Sequence, residues 1–442
     1  MDGMQNGLET DVDCGGGACP KCQAGKACQL NDDCGSGLCV GFLCKAGADC
    51  NNGMKDGFET DVDCGGMQCQ KCVNGKVCFL NNDCVSANCN FGTCGGGQPL
   101  TLSFANPAAY PAGVTPISVV LRDLDGDGPA DVTSVAQSSN AVYYLRGRGD
   151  GTLLAASSYG VGGQPNHVTL ADVNRDGKVD LLVTNRTSGS VSYLANLGNT
   201  FFAAAVNISM GAAPTSAVAP DYNLDGSPDL VVTDPNGNSF VHRAGLGNGT
   251  WGGSLFVSTP LYPGHVESAD MNGDGKADLV IVNRDSNSIS VHPGNGNGTF
   301  QQYLARPTAV VLPLAVAVTD LNGDNKQDVV VVGSLSLSVH LGNGDGTLGA
   351  GSAYAACNAT ARWLAIADFN LDGKRDVAVA CGASANFSIL LGNGDGTLKP
   401  AVLFANFGAT ATSIAAGDLN GDGKPDVVVG AGTVQVVLNT SK

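Results

Sequence analysis

The fold is decided by a nine-residue stretch that returns seven times along the 442-residue chain, first as Asp123-Leu124-Asp125-Gly126-Asp127-Gly128-Pro129-Ala130-Asp131. Oxygen-bearing side chains occupy its positions 1, 3, 5 and 9. The seven copies begin at residues 123, 172, 221, 270, 320, 368 and 418, so the period is 48 to 50 residues. An internal period of this length is typical of repeat architectures.

Each period also contains segments with the pattern of short strands, for example Asp278-Leu279-Val280-Ile281-Val282, separated by Gly-rich turns. No segment shows helical periodicity. Seven repeats with about four strands each predict an all-β fold, a seven-bladed β-propeller, because one four-stranded sheet cannot bury both of its faces alone. An open β-solenoid is the alternative, although its repeat is usually shorter. We expect the ring to close where Leu100–Phe104 meets Val434–Leu438, since this pairing would remove an exposed sheet edge.

The four oxygen side chains of each repeat are expected to converge on one cation. Ca²⁺ takes six to eight oxygen ligands in a flexible geometry, so four side chains, the position-7 carbonyl and water can complete its shell. A hydrophilic β-turn would explain one such loop, but all seven copies keep all four oxygens. At position 6, glycine or Asn325 indicates a backbone turn with positive φ.

We therefore expect about seven structural Ca²⁺ ions, one per blade. The predicted ligands are Asp123, Asp125, Asp127 and Asp131; Asp172, Asn174, Asp176 and Asp180; Asp221, Asn223, Asp225 and Asp229; Asp270, Asn272, Asp274 and Asp278; Asp320, Asn322, Asp324 and Asp328; Asp368, Asn370, Asp372 and Asp376; and Asp418, Asn420, Asp422 and Asp426.

These loops resemble those of the FG-GAP/VCBS repeat family, known from integrin α-subunit heads, bacterial surface proteins and a fungal propeller lectin. The Gly-Asn-Gly-Asp-Gly-Thr turns within 341–348 and 391–398 strengthen the resemblance, which covers residues from about 99 to 442. The literal Phe-Gly and Gly-Ala-Pro signatures are weak, which brings the chain closer to the bacterial VCBS branch. The resemblance implies the fold and the calcium positions but no single activity, since members bind proteins, bind sugars or space other domains.

The N-terminal part has a different composition, because fifteen of the 17 cysteines lie between Cys14 and Cys94. The segment 6–16 returns as 56–66, and the cysteines that follow it keep their register. This density predicts two disulfide-stapled repeats in an oxidising compartment. They resemble the "ETDVDCGG" repeats of large secreted bacterial proteins, a resemblance that carries no activity.

Cys-x-x-Cys pairs at Cys19/Cys22 and Cys69/Cys72 could hold zinc, but no histidine lies nearby and disulfides are favoured. We place the cysteine-rich repeats at 1–49 and 50–97 and the propeller at 98–442. The counterpart of Cys50 would precede Met1, so the first repeat has an odd number of cysteines. An intermolecular bond or a cut chain would account for it.

A local pair is also expected between Cys357 and Cys381 in the sixth blade.

The net charge of −17 disfavours binding to nucleic acid and anionic membranes. Much of this charge belongs to the loops, which hold 22 of the 40 acidic residues. No run of about 18 apolar residues exists, so membrane insertion is not expected. The N-terminus lacks the pattern of a signal peptide, from which we expect a mature or partial chain of an exported protein.

The histidines give no sign of a catalytic site. His242, His292 and His340 are expected at equivalent strand positions, while His167 and His265 both lie five residues before a loop. Such repetition indicates a role in the blades, and no nucleophile elbow, triad spacing or phosphate loop is present. We therefore expect a protein that is not an enzyme.

The expected function is a structural or adhesive module of an extracellular surface protein or fibre. Its partners would be other copies of itself, surface proteins or glycans. The alternative is a calcium-dependent lectin that uses the clefts between blades. A lectin should repeat aromatic side chains at one blade position, but the nine tyrosines and two tryptophans are not obviously in phase in the sequence.

Overall fold

A computed structural model describes residues 100–211 and 213–442, together with two short strand pairs in the cysteine-rich region. These pairs are Cys39–Val40 with Leu43–Cys44 and Cys89–Asn90 with Thr93–Cys94, and they match the 50-residue period. The predicted repeats 1–49 and 50–97, with the odd cysteine, otherwise lie outside the described residues.

Seven antiparallel four-stranded sheets follow, here called blades 1 to 7. From the first to the fourth strand they contain Pro116–Arg122, Asp131–Ala136, Ala141–Leu145 and Ser157–Gly160; Pro165–Ala171, Asp180–Asn185, Ser190–Leu194 and Val206–Ser209; Ala217–Val218, Leu230–Asp234, Ser239–Gly245 and Trp251–Ser258; Pro263–Ala269, Asp278–Asn283, Ser288–His292 and Leu304–Pro307; Ala315–Thr319, Asp328–Val332, Ser336–His340 and Ser352–Ala355; Ala361–Ala367, Asp376–Cys381, Asn386–Leu390 and Val402–Phe404; and Ala411–Gly417, Asp426–Ala431, Thr433–Val437 and Ala108–Tyr110. Blade 2 carries an extra pair, Asn196–Gly198 with Phe201–Phe202.

The apolar pattern of the second strands explains how the blades stack. Every residue of these seven strands is buried, as expected for Val- and Leu-rich strands with both faces covered. The buried side chains form seven hydrophobic clusters, and each cluster joins two consecutive blades. One of them joins blade 7 to blade 1, for example through Val428 and Val132. The ring is therefore closed, and the predicted seven-bladed propeller is confirmed.

The ring closes within blade 7, but by a different strand from the one expected. Ala108–Tyr110 is the outer strand of that blade and pairs with Thr433–Val437. The predicted strand Leu100–Phe104 forms only a bridge between Phe104 and Asn439. Beside it, Thr101 and Lys442 exchange backbone hydrogen bonds and the Thr440 N–H donates to the Ser103 carbonyl. The place of closure was therefore predicted correctly and the closing strand was not.

A disulfide joins Cys357 and Cys381, as predicted. Helix is confined, within 100–211 and 213–442, to one 3-10 turn at Gln137–Ser139. No helix of the described part has the length and apolar character needed to cross a membrane.

Candidate metal centres

The seven Asp-rich loops all connect the first strand of a blade to its second strand, so they lie at one end of the ring. Position 9 of each loop is the first residue of the second strand, except in blade 3, where Asp229 directly precedes Leu230. These seven aspartates are fully buried. The fold therefore places the predicted ligands of each loop at one end of a blade, with the position-9 carboxylate inside the protein.

The position-9 carboxylates are held by backbone donors in the same way in every blade. One oxygen, Oδ2, accepts the N–H of loop position 2 at 2.9–3.1 Å. The other, Oδ1, accepts an N–H just after the third strand at 2.7–2.9 Å. Because a carboxylate has about four acceptor sites, lone pairs remain for a cation.

Burial makes ionisation of these carboxyl groups costly. It raises the pKa of Asp426 to about 6 and also raises the pKa values of Asp131, Asp180, Asp278 and Asp328. A bound cation would favour the ionised form and oppose this shift. A bound Ca²⁺ would therefore stabilise the ionised form of these buried carboxyl groups.

The loop backbone folds around the side-chain oxygens of positions 1 and 3, which accept its N–H groups. In six loops, the position-6 N–H donates to the position-1 carboxylate at 2.7–2.9 Å. In the same loops the position-5 N–H donates to the position-3 oxygen at 2.9–3.2 Å. These bonds fix the side-chain oxygens toward the loop interior, where oxygen ligands suit Ca²⁺.

Two positions of each loop have positive φ. At position 6 the six glycines and Asn325 have φ between 61° and 101°, as predicted. Position 4 also has positive φ, and in three loops it is not glycine: Arg175, Leu224 and Leu371 have φ of 61°, 60° and 56°. The sequence did not reveal this second turn, because only four of the seven residues at position 4 are glycine.

The residue whose N–H binds Oδ1, at the end of the third strand, is a further recurring part of the loop geometry that sequence reasoning missed. In five blades it is glycine, and a Cβ there would lie 2.0–2.2 Å from the position-8 carbonyl oxygen. In the other two it is asparagine: Asn196 and Asn439 donate their side-chain amides to that same carbonyl at 3.0 and 3.1 Å. Recurrence of Gly or Asn 13 to 16 residues after the position-9 aspartate would have been the signal.

Neighbouring blades are tied to the loops. Backbone N–H groups of Gly151, Gly298 and Gly346 donate to the position-2 carbonyl of the preceding blade's loop at 2.9–3.1 Å. Asn196 and Asn439 do the same with their side-chain amides at 2.8 and 2.9 Å. The order of a loop is therefore coupled to the packing of the next blade.

The three strand histidines are not equivalent, which corrects the sequence interpretation. His292 and His340 pair with the first residue after a position-9 aspartate, whereas His242 pairs one residue further along. In the register of His242 lie Tyr144 and Tyr193, and all three side chains contact Oδ2 of the position-9 aspartate at 2.8–3.3 Å. In blades 1 to 3, a polar side chain of the third strand thus contacts the buried carboxylate of the loop.

Loop 1 departs from the other six in its charge. Asp125 stands where the others have asparagine, and its carboxylate, with those of Asp123 and Asp131, lies close enough to share one ion. Arg146 contacts Asp125 and Asp127, with Nε and Nη2 each 2.6 Å from a carboxylate oxygen. In four other loops a position-7 lysine contacts the position-5 aspartate at 3.2–3.8 Å. Position 7 of loop 1 is Pro129, so Arg146 supplies the positive charge that a lysine provides in those four loops.

The family comparison agrees with this repeat. A family model described as FG-GAP-like repeat matches six overlapping segments, 123–183, 172–232, 221–281, 270–331, 320–379 and 368–429. Each segment starts at the first aspartate of one loop and runs past the next loop. No curated protein matches the chain.

Several solved propellers are similar in fold. Streptogramin B lyase is 14% identical with a TM-score of 0.54, covering 77% of this chain and 98% of that chain. BBS1N, in complex with ARL6DN, is 12% identical with a TM-score of 0.52 and the same coverage. A 6-phosphogluconolactonase-like protein from Bacteroides uniformis is 16% identical with a TM-score of 0.51, covering 66% and 86%. At such identities the likeness concerns the fold alone.

Proposed function

Because the chain belongs to the FG-GAP-like repeat family, we propose that it is a calcium-stabilised, non-enzymatic binding or structural module of an extracellular surface protein or fibre. The observation that carries the proposal is the sevenfold recurrence of one loop with four oxygen-bearing side chains, whose position-9 carboxylate is buried and held by the same two backbone N–H groups in every blade. A site repeated in every blade serves the ring as a whole, whereas a catalytic site usually occurs once.

Calcium would act by joining strands and blades. Each loop connects the first and second strands of its blade, and in five places it accepts a hydrogen bond from the next blade. An ion that binds only the folded loop stabilises the fold by mass action, by about 2.7 kcal/mol per site when its concentration is 100 times its dissociation constant. Seven sites would bring the net charge from −17 to about −3 at two charges per ion.

The calcium proposal is tested by thermal denaturation of the chain in excess Ca²⁺ and in excess chelator, with native mass spectrometry to count bound ions. We expect a higher melting temperature in Ca²⁺, with Mg²⁺ less effective, and about seven ions per chain. Asp324→Ala should bind one ion fewer, while Asp285→Ala, outside the loops, should not change the count. An unchanged melting temperature would contradict a structural role for calcium.

An extracellular, assembling role draws support from the disulfide chemistry. The Cys357–Cys381 bond is of the kind that persists in oxidising compartments, and an odd number of cysteines in the first repeat would leave one for an intermolecular bond. Electron microscopy of the native protein in Ca²⁺, with and without reductant, tests this. Ordered fibres that disperse on reduction would support it, whereas single propellers in both conditions would count against it.

A calcium-dependent lectin is the second candidate, favoured by the outer strands. Their third residue is aromatic in four blades, at Tyr110, Tyr159, Tyr354 and Phe404, which pair with equivalent positions of the third strand. The aromatics therefore do recur in phase. All four pack against the clusters between blades, and Tyr354 also lines a cleft of about 480 Å³ with Lys399. Binding on a glycan array that is lost in Tyr354→Ala would favour the lectin.

A further inference from the structure

An open cavity of about 440 Å³ lies on the axis of the ring, lined by the first strands of blades 1, 2, 3, 4, 6 and 7. We call it the axial cavity. Its wall includes Val120, Arg122, His167, Thr169 and Glu267. Its volume is within the range of pockets that bind small molecules.

Glu267 is a single departure from the repeat in this wall. It lies three residues before its loop, and the equivalent residues of the other blades are apolar or a threonine: Val120, Thr169, Val218, Ala317, Ala365 and Ala415. These small side chains suffice for packing of the first strands. A carboxylate at this position therefore adds nothing that the fold requires, and a departure of this kind indicates a function.

The Glu267 carboxylate forms no ion pair within 4 Å with Arg122, the arginine in the same cavity wall, among the residues described. Its side chain keeps 40% of its surface exposed, and the one basic group within 4 Å, among the residues described, is His265, whose Nε2 is 3.9 Å from Oε1. Burial lowers the pKa of His265 well below its usual value and that of His167 to about 4, so both rings are neutral near pH 7. Burial likewise raises the pKa of Glu267 to about 7.

The rings of His265 and Trp363 lie beside His167, which is part of the wall of the axial cavity. His167, His265 and Trp363 occupy the position five residues before the loop in blades 2, 4 and 6. The ring centroids of the two histidines are 5.3 Å apart. The Trp363 ring lies 5.6 Å from that of His167 and 4.4 Å from that of His265. The equivalent residues in the other blades are small: Ser118, Ser216, Ala315 and Ser413. Arg122 is exposed at the other end of the wall, next to the calcium loops, where solvent screens its charge.

We propose that the axial cavity binds a small organic cation, an amine whose ammonium group pairs with the Glu267 carboxylate while its hydrocarbon part contacts the apolar wall. The neutral imidazole of His167 and the hydroxyl of Thr169 lie in the same wall and can accept or donate hydrogen bonds. A charge pair in a partly desolvated cavity is stronger than one on the surface. This site is independent of the calcium loops and goes beyond the proposed function.

The test uses isothermal titration of the full chain in Ca²⁺ with n-butylammonium, tetramethylammonium and benzylammonium. At least one amine should bind at a single saturable site, and n-butanol and butyrate should bind at least tenfold more weakly. Glu267→Gln should weaken amine binding tenfold or more, whereas Asp285→Asn, which removes an exposed acid elsewhere, should not. Circular dichroism melting of each variant separates lost binding from lost folding.

A fluorescence measurement locates the bound amine. The chain has two tryptophans, so Trp251→Phe leaves Trp363, next to His167, as the reporter. Its emission should change along the same binding curve as the heat. No saturable binding of any of the three amines, equal binding of n-butanol, or an unchanged affinity in Glu267→Gln would each overturn the proposal.

The pH dependence gives a further readout. A protonated Glu267 cannot pair with a cation, so affinity should rise as the pH increases from 5 to 8 and level off above the pKa of about 7. The other titratable or charged groups around it are Arg122, His167, Tyr222 and His265. Burial lowers the pKa of His167 to about 4, lowers that of His265 well below its usual value and raises that of Tyr222, so a change in affinity around pH 7 belongs to Glu267. Glu267→Gln should therefore abolish the pH dependence. A dependence that persists in this variant would assign the titrating group elsewhere.

Discussion

At the scale of single residues, the loops depend on a glycine that carries no ligand. Gly342 donates its N–H to Asp328 at 2.8 Å, and a Cβ on it would lie 2.1 Å from the backbone oxygen of Gln327. This separation is far below van der Waals contact, so the strand end and the loop have to move apart if a methyl group is added. The requirement is steric, since the φ of Gly342 is not positive.

Gly342→Ala should therefore destabilise the propeller by about 1–3 kcal/mol, the usual cost of overpacking a well-packed region. The measurement is urea denaturation of the variant and the native chain. Gly253→Ala is the matched control, because a Cβ at Gly253 meets nothing within 4 Å. Equal stabilities of the two variants would show that the strand end relaxes freely.

Loop 1 offers a paired substitution at the same scale. The equivalents of Asp125 are asparagines, and those of Arg146 are Ala195, Ala244, Pro293, Leu341, Leu391 and Leu438. Both residues depart from the repeat in the same loop and contact each other. Arg146 thus offsets the extra negative charge of Asp125.

In chelator, Arg146→Leu should destabilise the chain more than the double variant Asp125→Asn/Arg146→Leu. The single change leaves four carboxylates without a nearby arginine, whereas the double change also removes the extra carboxylate and leaves the oxygen set of the other loops. We expect a non-zero coupling free energy from a double-mutant cycle by thermal denaturation. In saturating Ca²⁺ the coupling should shrink, and strictly additive effects in chelator would contradict the interpretation.

The residue scale also shows what sequence reasoning could reach. Asp, Asn and Gly at fixed spacing predicted the loops, their position in the blades and the positive φ of Asn325, because these residue types have few other reasons to recur together. The positive φ of Arg175 and Leu224 could not be predicted, since such side chains rarely adopt it. Nor could the phase of His242, which depends on strand register and not on spacing along the chain.

At the scale of elements, the closure of the ring shows why a strand pattern can mislead. Leu100–Phe104 alternates apolar and polar residues, as a half-buried strand does. In the structure Leu102 and Phe104 instead pack against the cluster between blades 6 and 7. Ala108–Tyr110 has no such pattern, but it supplies the outer strand that blade 7 would otherwise lack. Which of the two segments becomes the outer strand depends on the geometry of the closed ring, which no local sequence pattern encodes.

Phe104 should nevertheless be important for the closure. Its ring lies 5.0, 5.3 and 6.3 Å from the rings of Phe404, Phe387 and Phe369, and it forms the bridge to Asn439. Phe104→Ala should cost about 2–4 kcal/mol, close to the usual range for large-to-small core changes, as measured by chemical denaturation. Phe201→Ala, at a residue 62% exposed, should cost far less, and similar losses would show that Phe104 does not hold the seam.

At the scale of the whole molecule, the ring has no terminal repeat. A solenoid needs caps because its end repeats expose an apolar face, but here all seven clusters lie between two blades. Removing any one blade would expose two clusters and break the connections between loops. The period of 48 to 50 residues and the sevenfold count made the ring predictable, whereas the cavity on its axis arises from side chains that differ between blades.

A closed ring of this kind should unfold as one unit even when a single loop is damaged. Asp278 accepts two backbone N–H groups in blade 4, at 3.0 Å from Met271 and 2.8 Å from Gly294, and Asp278→Ala leaves both donors buried without a partner. The expected loss is about 2–4 kcal/mol, distributed over the whole ring because blade 4 cannot open without exposing the clusters on both of its sides. Differential scanning calorimetry should show one propeller transition at lower temperature, with equal calorimetric and van't Hoff enthalpies. An early separate step would instead make the blades independent folding units, and Asp285→Ala, an exposed aspartate on another turn of the same blade, serves as the control that should leave the transition in place.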